Sequence, residues 1–191
     1  MKAQLSNVAE IFAGVNVRTG GPVDIHCLQL GYFDNEGRFD ESVKPNAVFE
    51  ERLRKHLLRN GDVLFAAKGV RNRAVVYRGN PARAIASSTI VVLRPVVTDL
   101  YFIDPEYLAW TLNSRNTAPS LNSITGGSTV QSISISSLMH VSIDIPPINV
   151  QRLIAKISTL RVTERRLAEQ MERLKDALLE KQLSRIISPS H

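Results

Sequence analysis

The chain has 191 residues, enough for one domain of ordinary size with an appendage, and 43% of them are hydrophobic, which supports a sizeable core. Lysine and arginine number 24 against 18 acidic residues, so the formal charge of +6 favours a polyanionic partner. One cysteine excludes an internal disulfide framework, and four histidines without ligand spacing argue against a metal site. With no apolar segment typical of a signal peptide or membrane span, we expect a folded cytoplasmic protein that does not enter the membrane.

The first three quarters of the chain, residues 1–147, carry short apolar runs separated by turn signals. This pattern is typical of a mixed fold with more strand than helix. It predicts strands at 23–29, 62–67, 73–78, 85–94 and 140–145. Helices are predicted at 6–13, ended by Gly14, and at 48–59, where apolar residues recur every fourth position.

Two further helical segments have clear start signals. Asp104 is a good N-cap, and Pro105 suits the first position of a helix that continues over 106–114. Ser134 begins a one-turn helix before the strand at 140. Asp104 and Glu106 also have the spacing of part of a nuclease carboxylate cluster, but helix capping is the simpler interpretation.

Positive charge is concentrated between Arg52 and Arg83, where nine basic residues accompany one acid, Asp62. The connection between two predicted strands holds the candidate DNA-binding residues Lys68, Gly69, Arg71, Asn72 and Arg73. Such a connection presents side chains from a rigid scaffold, and glycine lets the backbone approach a ligand closely. Arginine can pair with guanine and asparagine with adenine, or both can contact phosphate. The plainer interpretation is a solvated charged face.

A second polar segment, 123–134, contains the further DNA-binding candidates Ser128, Thr129 and Gln131. Their side chains, together with the backbone amides of the Gly126-Gly127 pair, suit hydrogen bonding to phosphates or base edges. An ordinary loop rich in serine and threonine is an equally good interpretation of this segment alone.

Motifs for catalysis are missing from the sequence. It contains no GxxxxGK[ST] phosphate loop, no HExxH, no GxSxG and no pair of cysteine motifs. The tetrapeptide 144–147 is similar to the Pro-Pro motif of adenine methyltransferases, but the aromatic residue that should follow is Ile148. We therefore name no catalytic residue and expect a protein that is not an enzyme.

Residues 148–187 contain neither glycine nor proline and predict one α-helix of about 60 Å. Its apolar residues alternate steps of four and three, as in a coiled coil, and Glu164 fills the one missing position. The predicted dimerisation seam consists of Leu153, Ile157, Leu160, Leu167, Met171, Leu174 and Leu178. Such a seam needs a partner helix or a second copy of the chain, unless the helix folds back across its own domain. The last residues, 188–191, are predicted to form a frayed tail.

The ordered series LSNVAEIFAG, GDVLFAAKG, ASSTIVVLRP, YLAWTLNS and GGSTVQSISISSLMHVSIDIPP, followed by the long helix, resembles the specificity subunits of type I restriction-modification systems. The resemblance covers essentially the whole chain. Members of that family carry two target recognition domains, each followed by a long helix, and the two helices pack antiparallel. The resemblance therefore implies a half subunit, with a DNA target recognition domain at 1–147 and a spacer and dimerisation helix at 148–187. It is a natural short form, one product of a split gene or a truncated form.

The resemblance implies a noncatalytic DNA reader that directs adenine methylation and restriction to a bipartite target. Its expected partners are double-stranded DNA, modification subunits, a restriction subunit where one is present, and a second copy of itself or another half subunit, paired through an antiparallel coiled coil. S-adenosylmethionine, Mg²⁺ and ATP are expected on partner subunits alone. Two other hypotheses stay open: a coiled-coil adaptor that does not bind DNA, and a fragment of a methyltransferase or nuclease.

Overall fold

The computed structural model describes residues 1–17, 22–67, 73–98, 100–117, 119, 121 and 133–187. The strands, in chain order, are β1 Lys2–Gln4, β2 Ala9–Ala13, β3 His26–Leu28, β4 Val63–Ala66, β5 Ala74–Val76, β6 Ala84–Ala86, β7 Ile90–Pro95 and β8 Ser142–Asp144. The α-helices are α1 Leu5–Val8, α2 Pro105–Asn113, α3 Ile135–Met139 and α4 Ile148–Ile187. Two 3-10 turns cover Leu30–Tyr32 and Glu51–His56. The predicted α+β fold, strand-rich and ending in one long helix, is confirmed.

The main sheet has the order β2-β7-β4-β5, and all its neighbours are antiparallel. Its central strand β4 is buried on both faces, which explains why Val63, Leu64 and Phe65 form a continuous apolar run. Two smaller sheets pair β1 with β8 and β3 with β6. Because β1 pairs with β8, the start of the chain is joined to the segment that precedes α4, and the Ile145 amide donates to the Met1 carbonyl at 2.7 Å.

The prediction of a helix at 6–13 is wrong beyond its first turn. After α1 the chain becomes strand β2, which pairs along its whole length with β7. Its side chains alternate between faces: Ile11 packs against one core cluster and Phe12 against another. Gly14 does not end a helix. A Cβ at this position would overlap the Ser87 carbonyl oxygen, so glycine permits a close approach of two backbones.

Two other predicted elements are shorter than expected. The helix at 48–59 is a 3-10 turn, Glu51–His56, because the chain then bonds to strand β6: the Leu58 amide donates to the Ala84 carbonyl at 2.9 Å. The strand at 85–94 is divided into β6 and β7, with a turn at 88–89 between them. Pairing with distant strands decides both outcomes.

The start signals of the short helices are confirmed. The Asp104 carboxylate accepts hydrogen bonds from the amides of Glu106 and Tyr107 at 2.9 and 3.2 Å. The Ser134 hydroxyl accepts from the Ser137 amide at 3.0 Å. Such caps stabilise a helix by about 1 kcal/mol each. The carboxylates near 104 therefore have structural partners.

The chain divides into two compact units, Met1–Ala155 and Lys156–His191. The first unit thus includes the first two turns of α4. Gln151, only 1% exposed, holds these turns in place. Its side chain accepts from the Asp104 amide at 2.9 Å and donates to the carbonyls of Phe102 and Pro146 at 3.0 and 2.8 Å. Gln151 thus supplies hydrogen-bond partners to three backbone groups at this junction.

Candidate nucleic-acid interface

The ends of the two predicted DNA-binding segments meet in the structure. Ala67 directly precedes residues 68–72, and Ile133 directly follows residues 122–132. The Ile133 amide donates to the Ala67 carbonyl at 2.8 Å. The two segments are about 60 residues apart in the sequence, and each therefore has one end at the same point of the fold.

Most of the candidate DNA-binding residues lie outside the described residues: Lys68, Gly69, Arg71, Asn72, Ser128, Thr129 and Gln131. Arg73 is described. Its backbone carbonyl accepts from the Ala66 amide at 2.8 Å, which continues the pairing of β4 with β5. The short hairpin β4–β5 therefore supports both ends of residues 67–73.

The side chain of Arg73 has a partner within the chain. Its guanidinium donates to the Phe33 carbonyl at 3.2 Å and also to the Asp34 carbonyl. Burial lowers the pKa of this half-buried guanidinium, with the Asp34 carboxylate acting in the opposite direction. Arg73 thus connects the end of the candidate segment to residues 33–34, which is a positioning role that the charge count alone did not suggest.

Asn113 is a further residue at this point, which the sequence did not single out. Its side-chain amide donates to the Ala74 carbonyl, and its side-chain oxygen accepts from the Ala74 amide, both at 2.8 Å. This two-point contact fixes the last residue of α2 to the start of β5. An asparagine at the end of a predicted helix is the only local signal, and it does not reveal a partner 39 positions away.

Several cations of the basic segment are neutralised by carboxylates of the same chain. The pairs are Arg52 with Glu50, Arg54 with Glu51, Arg78 with Glu106 and Arg83 with Asp24. Lys55 and Arg59 are exposed and form no ion pair with another described residue. Exposed pairs are weak, so DNA phosphates can compete for these arginines, but the free positive charge is smaller than the sequence count.

The one acid in that segment has a structural role. Asp62, 1% exposed, accepts two hydrogen bonds from the Arg94 guanidinium at 2.7 and 2.8 Å and one from the Arg59 amide at 2.7 Å. Arg94 also donates to the Leu57 carbonyl at 3.1 Å. The hydrogen bond to Asp62 raises the pKa of Arg94. This buried pair joins the start of β4 to the end of β7 and stiffens the sheet that carries the hairpin.

The predicted seam of α4 is exposed in the single chain. The exposed fractions run from 48% to 64% for the seven apolar residues Leu153, Ile157, Leu160, Leu167, Met171, Leu174 and Leu178. An apolar stripe of this kind, interrupted at Glu164, is typical of an interaction surface.

Neither a membrane-spanning helix nor a metal-binding cluster is found among the described residues. No described helix is both long and apolar enough to cross a membrane. In the same residues, no group of three or more His, Cys, Asp or Glu side chains could hold a metal ion.

The family model for the type I restriction modification DNA specificity domain matches residues 33–171, more than two thirds of the chain. The chain belongs to this family. The matched part of this specificity domain includes both predicted DNA-binding segments and most of the seam in α4. A comparison with curated protein sequences gives no match.

Solved structures show the same fold. A chain from work on complex assembly and conformational transition of a type I restriction-modification system aligns with a TM-score of 0.67 at 19% identity, over 97% of this chain and 49% of that one. The HsdS subunit from Thermoanaerobacter tengcongensis gives 0.63 at 22% identity, over 96% and 48%. The S subunit from M. genitalium gives 0.52 at 16%, over 97% and 45%. The present chain spans about half the length of these structures.

Proposed function

We propose that this specificity domain is the noncatalytic, sequence-specific DNA-recognition subunit of a type I restriction-modification complex. It directs adenine methylation, and restriction where a motor subunit is present, to a bipartite target. The observation that carries the proposal is the family match over residues 33–171, which joins a DNA specificity domain to the exposed seam of α4 in one chain. S-adenosylmethionine, Mg²⁺ and ATP belong to the partner subunits in this proposal.

The proposed DNA contacts are Lys68, Gly69, Arg71, Asn72, Ser128, Thr129 and Gln131. Their support is the hydrogen bond between Ala67 and Ile133, which brings the ends of both segments together. Two polar segments at one point can follow adjacent phosphates and base edges of a duplex. Arg73 joins this set as the residue that holds the first segment in position, through its bonds to residues 33 and 34.

The proposed active form is a homodimer in which two α4 helices pair antiparallel. Two copies supply the length of the solved chains, of which this chain covers 45–49%. A two-fold dimer reads two inverted half-sites separated by a fixed gap. A helix of 40 residues is about 60 Å long, which limits the gap to roughly 17 base pairs at about 3.4 Å each.

Mapping of methylated adenines tests this function. We expect the chain, expressed with a modification subunit from the same source organism, to produce adenine methylation at a two-part inverted sequence. The matched control is a chain with Lys68, Arg71 and Asn72 replaced by alanine, in which the sequence preference should be lost. Methylation at the same positions without the chain, or no binding of the chain to either duplex DNA or the modification subunit, contradicts the proposal.

A further inference from the structure

One end of the main sheet collects several chain connections of the first unit. Ala66, the last residue of β4, lies opposite Ile90, the first residue of β7. Ala13, the last residue of β2, lies opposite Val91 in β7. The chain that follows β2, the turn that precedes β7 and the connection 67–73 therefore leave from the same end, which we name the loop end of the sheet.

The turn before β7 contacts the residue at which both predicted DNA-binding segments meet. The Ala67 amide donates to the Thr89 carbonyl at 3.3 Å, and the Ala67 carbonyl accepts from the Ile133 amide. Ser88, the neighbour of Thr89, donates from its hydroxyl to Oδ1 of Asn16. Asn16 is thus connected through this turn to the ends of both segments.

The side chain of Asn16 is held with one group free to bind. Its backbone is fixed one residue earlier, where the Val15 amide donates to the Ala86 carbonyl at 2.9 Å. The Ser88 hydroxyl occupies Oδ1, and the Nδ2 amide forms no hydrogen bond with another described residue. Asn16 is exposed. An exposed and oriented N–H donor suits a phosphate oxygen.

Acidic residues are distributed unequally between the two ends of the sheet. Three carboxylates lie at the end opposite the loop end: Glu10, Asp62 and Glu106. At the loop end, the stretches 11–17 and 84–93 contain no acidic residue. Asp34, which lies beside Arg73, is bonded to the Arg38 guanidinium at 2.9 Å. A polyanion therefore meets less repulsion at Asn16 than at the opposite end.

The width of the loop end suits a DNA groove and its borders. Neighbouring strands are about 4.8 Å apart, so β2 lies about 10 Å from β4 in the order β2-β7-β4-β5. The major groove of B-DNA is about 12 Å wide, with a phosphate backbone along each border. When the segment after β4 enters the groove, a donor about 10 Å away meets a backbone and not a base edge.

We propose that Asn16 binds a DNA phosphate through its Nδ2 amide, and that Ser88 is a positioning residue that orients the Asn16 side chain. This contact is separate from the two predicted segments and lies beside them. The inference rests on the proposed DNA-recognition function. It adds a backbone contact that positions the domain on the duplex without reading sequence.

Binding of the chain to two duplexes tests the contact. One duplex carries the sequence found by methylation mapping, and the other has the same composition in shuffled order. Asn16→Asp keeps an oxygen that accepts from Ser88 but replaces the donor by a negative charge. We expect affinity for both duplexes to fall about 10-fold or more, because a hydrogen bond to a charged group is lost.

Asn60→Asp is the matched control. Asn60 is exposed and lies beyond the start of β4, at the opposite end of the sheet. A strand of four residues is about 13 Å long, which exceeds the screening length of about 8 Å at physiological salt. Asn60→Asp should therefore leave both affinities unchanged.

A variant that gains affinity separates a DNA contact from a loss of folding. Asn16→Lys places a cation at the same point, and we expect tighter binding of both duplexes with a salt slope steeper by about 0.9 per subunit. If circular dichroism shows that Asn16→Asp is unfolded, Asn16→Lys decides.

A double-mutant cycle tests the positioning role of Ser88. Ser88→Ala should weaken duplex binding about 3-fold in the wild-type chain and have no effect in an Asn16→Ala chain. Ser88→Thr keeps the hydroxyl and should keep the affinity. An equal loss from Ser88→Ala in both chains contradicts a role exerted through Asn16.

The outcomes separate the inference from the function on which it rests. If the wild type binds its target but Asn16→Asp and Asn16→Lys bind both duplexes as the wild type does, the contact at Asn16 is wrong and the function stands. A loss restricted to the target duplex assigns Asn16 to a base edge and overturns the phosphate contact. If the wild type binds neither duplex, alone or with the modification subunit, the proposed function fails and the inference fails with it.

Discussion

The two units of the chain place leucine in opposite environments. In Met1–Ala155, Leu64, Leu93 and Leu108 are wholly buried. In Lys156–His191, Leu160 and Leu174 are 58% and 64% exposed, although both occupy a regular apolar pattern. The first unit completes its own core, whereas the second leaves an apolar stripe exposed. The first should therefore be stable at any concentration, and the pairing of the second should depend on concentration.

The largest effect is expected for Leu167→Asp, which places a negative charge in the apolar stripe of α4. Each dimer loses two seam leucines, worth about 1.5–3 kcal/mol apiece, so the dimer dissociation constant should rise at least about 100-fold. Sedimentation over a concentration series measures this change. Arg165→Asp places the same side chain outside the seam and should leave the dimer intact. Equal dissociation constants for wild type and Leu167→Asp contradict the seam.

Arg94→Met tests what stabilises the first unit, Met1–Ala155. The substitution leaves the Asp62 carboxylate buried without its charged partner, and the free energy of unfolding should fall by about 3–5 kcal/mol. Urea unfolding followed by circular dichroism measures it. The control is Arg83→Met, which removes an arginine from the exposed pair with Asp24 and should cost about 1 kcal/mol or less. If both variants lose a similar amount of unfolding free energy, burial does not make the pair of Asp62 and Arg94 more important to stability than an exposed pair.

Arg73→Gln tests whether Arg73 stabilises the fold or contacts DNA. Loss of the charged donor to the carbonyls of residues 33 and 34 should lower the free energy of unfolding by about 1–3 kcal/mol. Arg71→Gln is the matched variant two positions earlier, and we expect it to change DNA binding without changing stability. Urea unfolding and duplex binding are measured on both chains. If Arg73→Gln keeps its stability but loses DNA affinity, then Arg73 contacts DNA and does not position the segment.

Features with local causes were predictable from the sequence. The helix at 148–187 follows from forty residues without glycine or proline, and its exposed apolar stripe from steps of three and four. Asp104 and Ser134 predict where their helices begin, because an N-cap side chain accepts from amides two or three residues away. No distant part of the chain is needed for any of these predictions.

Features that depend on distant partners were not predictable. Residues 9–13 have the composition of a helix, but they bond to β7 about 80 positions later and become a strand. In the sequence alone Arg78 and Arg83 count as free cations. In the structure they form ion pairs with Glu106 and Asp24, which lie outside the basic segment. The contact between Asn113 and Ala74 was not predictable for the same reason. A single sequence contains the residues of such contacts but not their pairing.

Under the proposed function, the bond between Ile133 and Ala67 bears on how target choice can evolve. The bond joins main-chain atoms alone, so it does not depend on the side chains at these two positions. The described scaffold can then stay constant while residues 68–72 and 122–132 are exchanged for those of a relative. In that proposal, new sequence preferences arise by recombination of short stretches, with no need to evolve the folded core again.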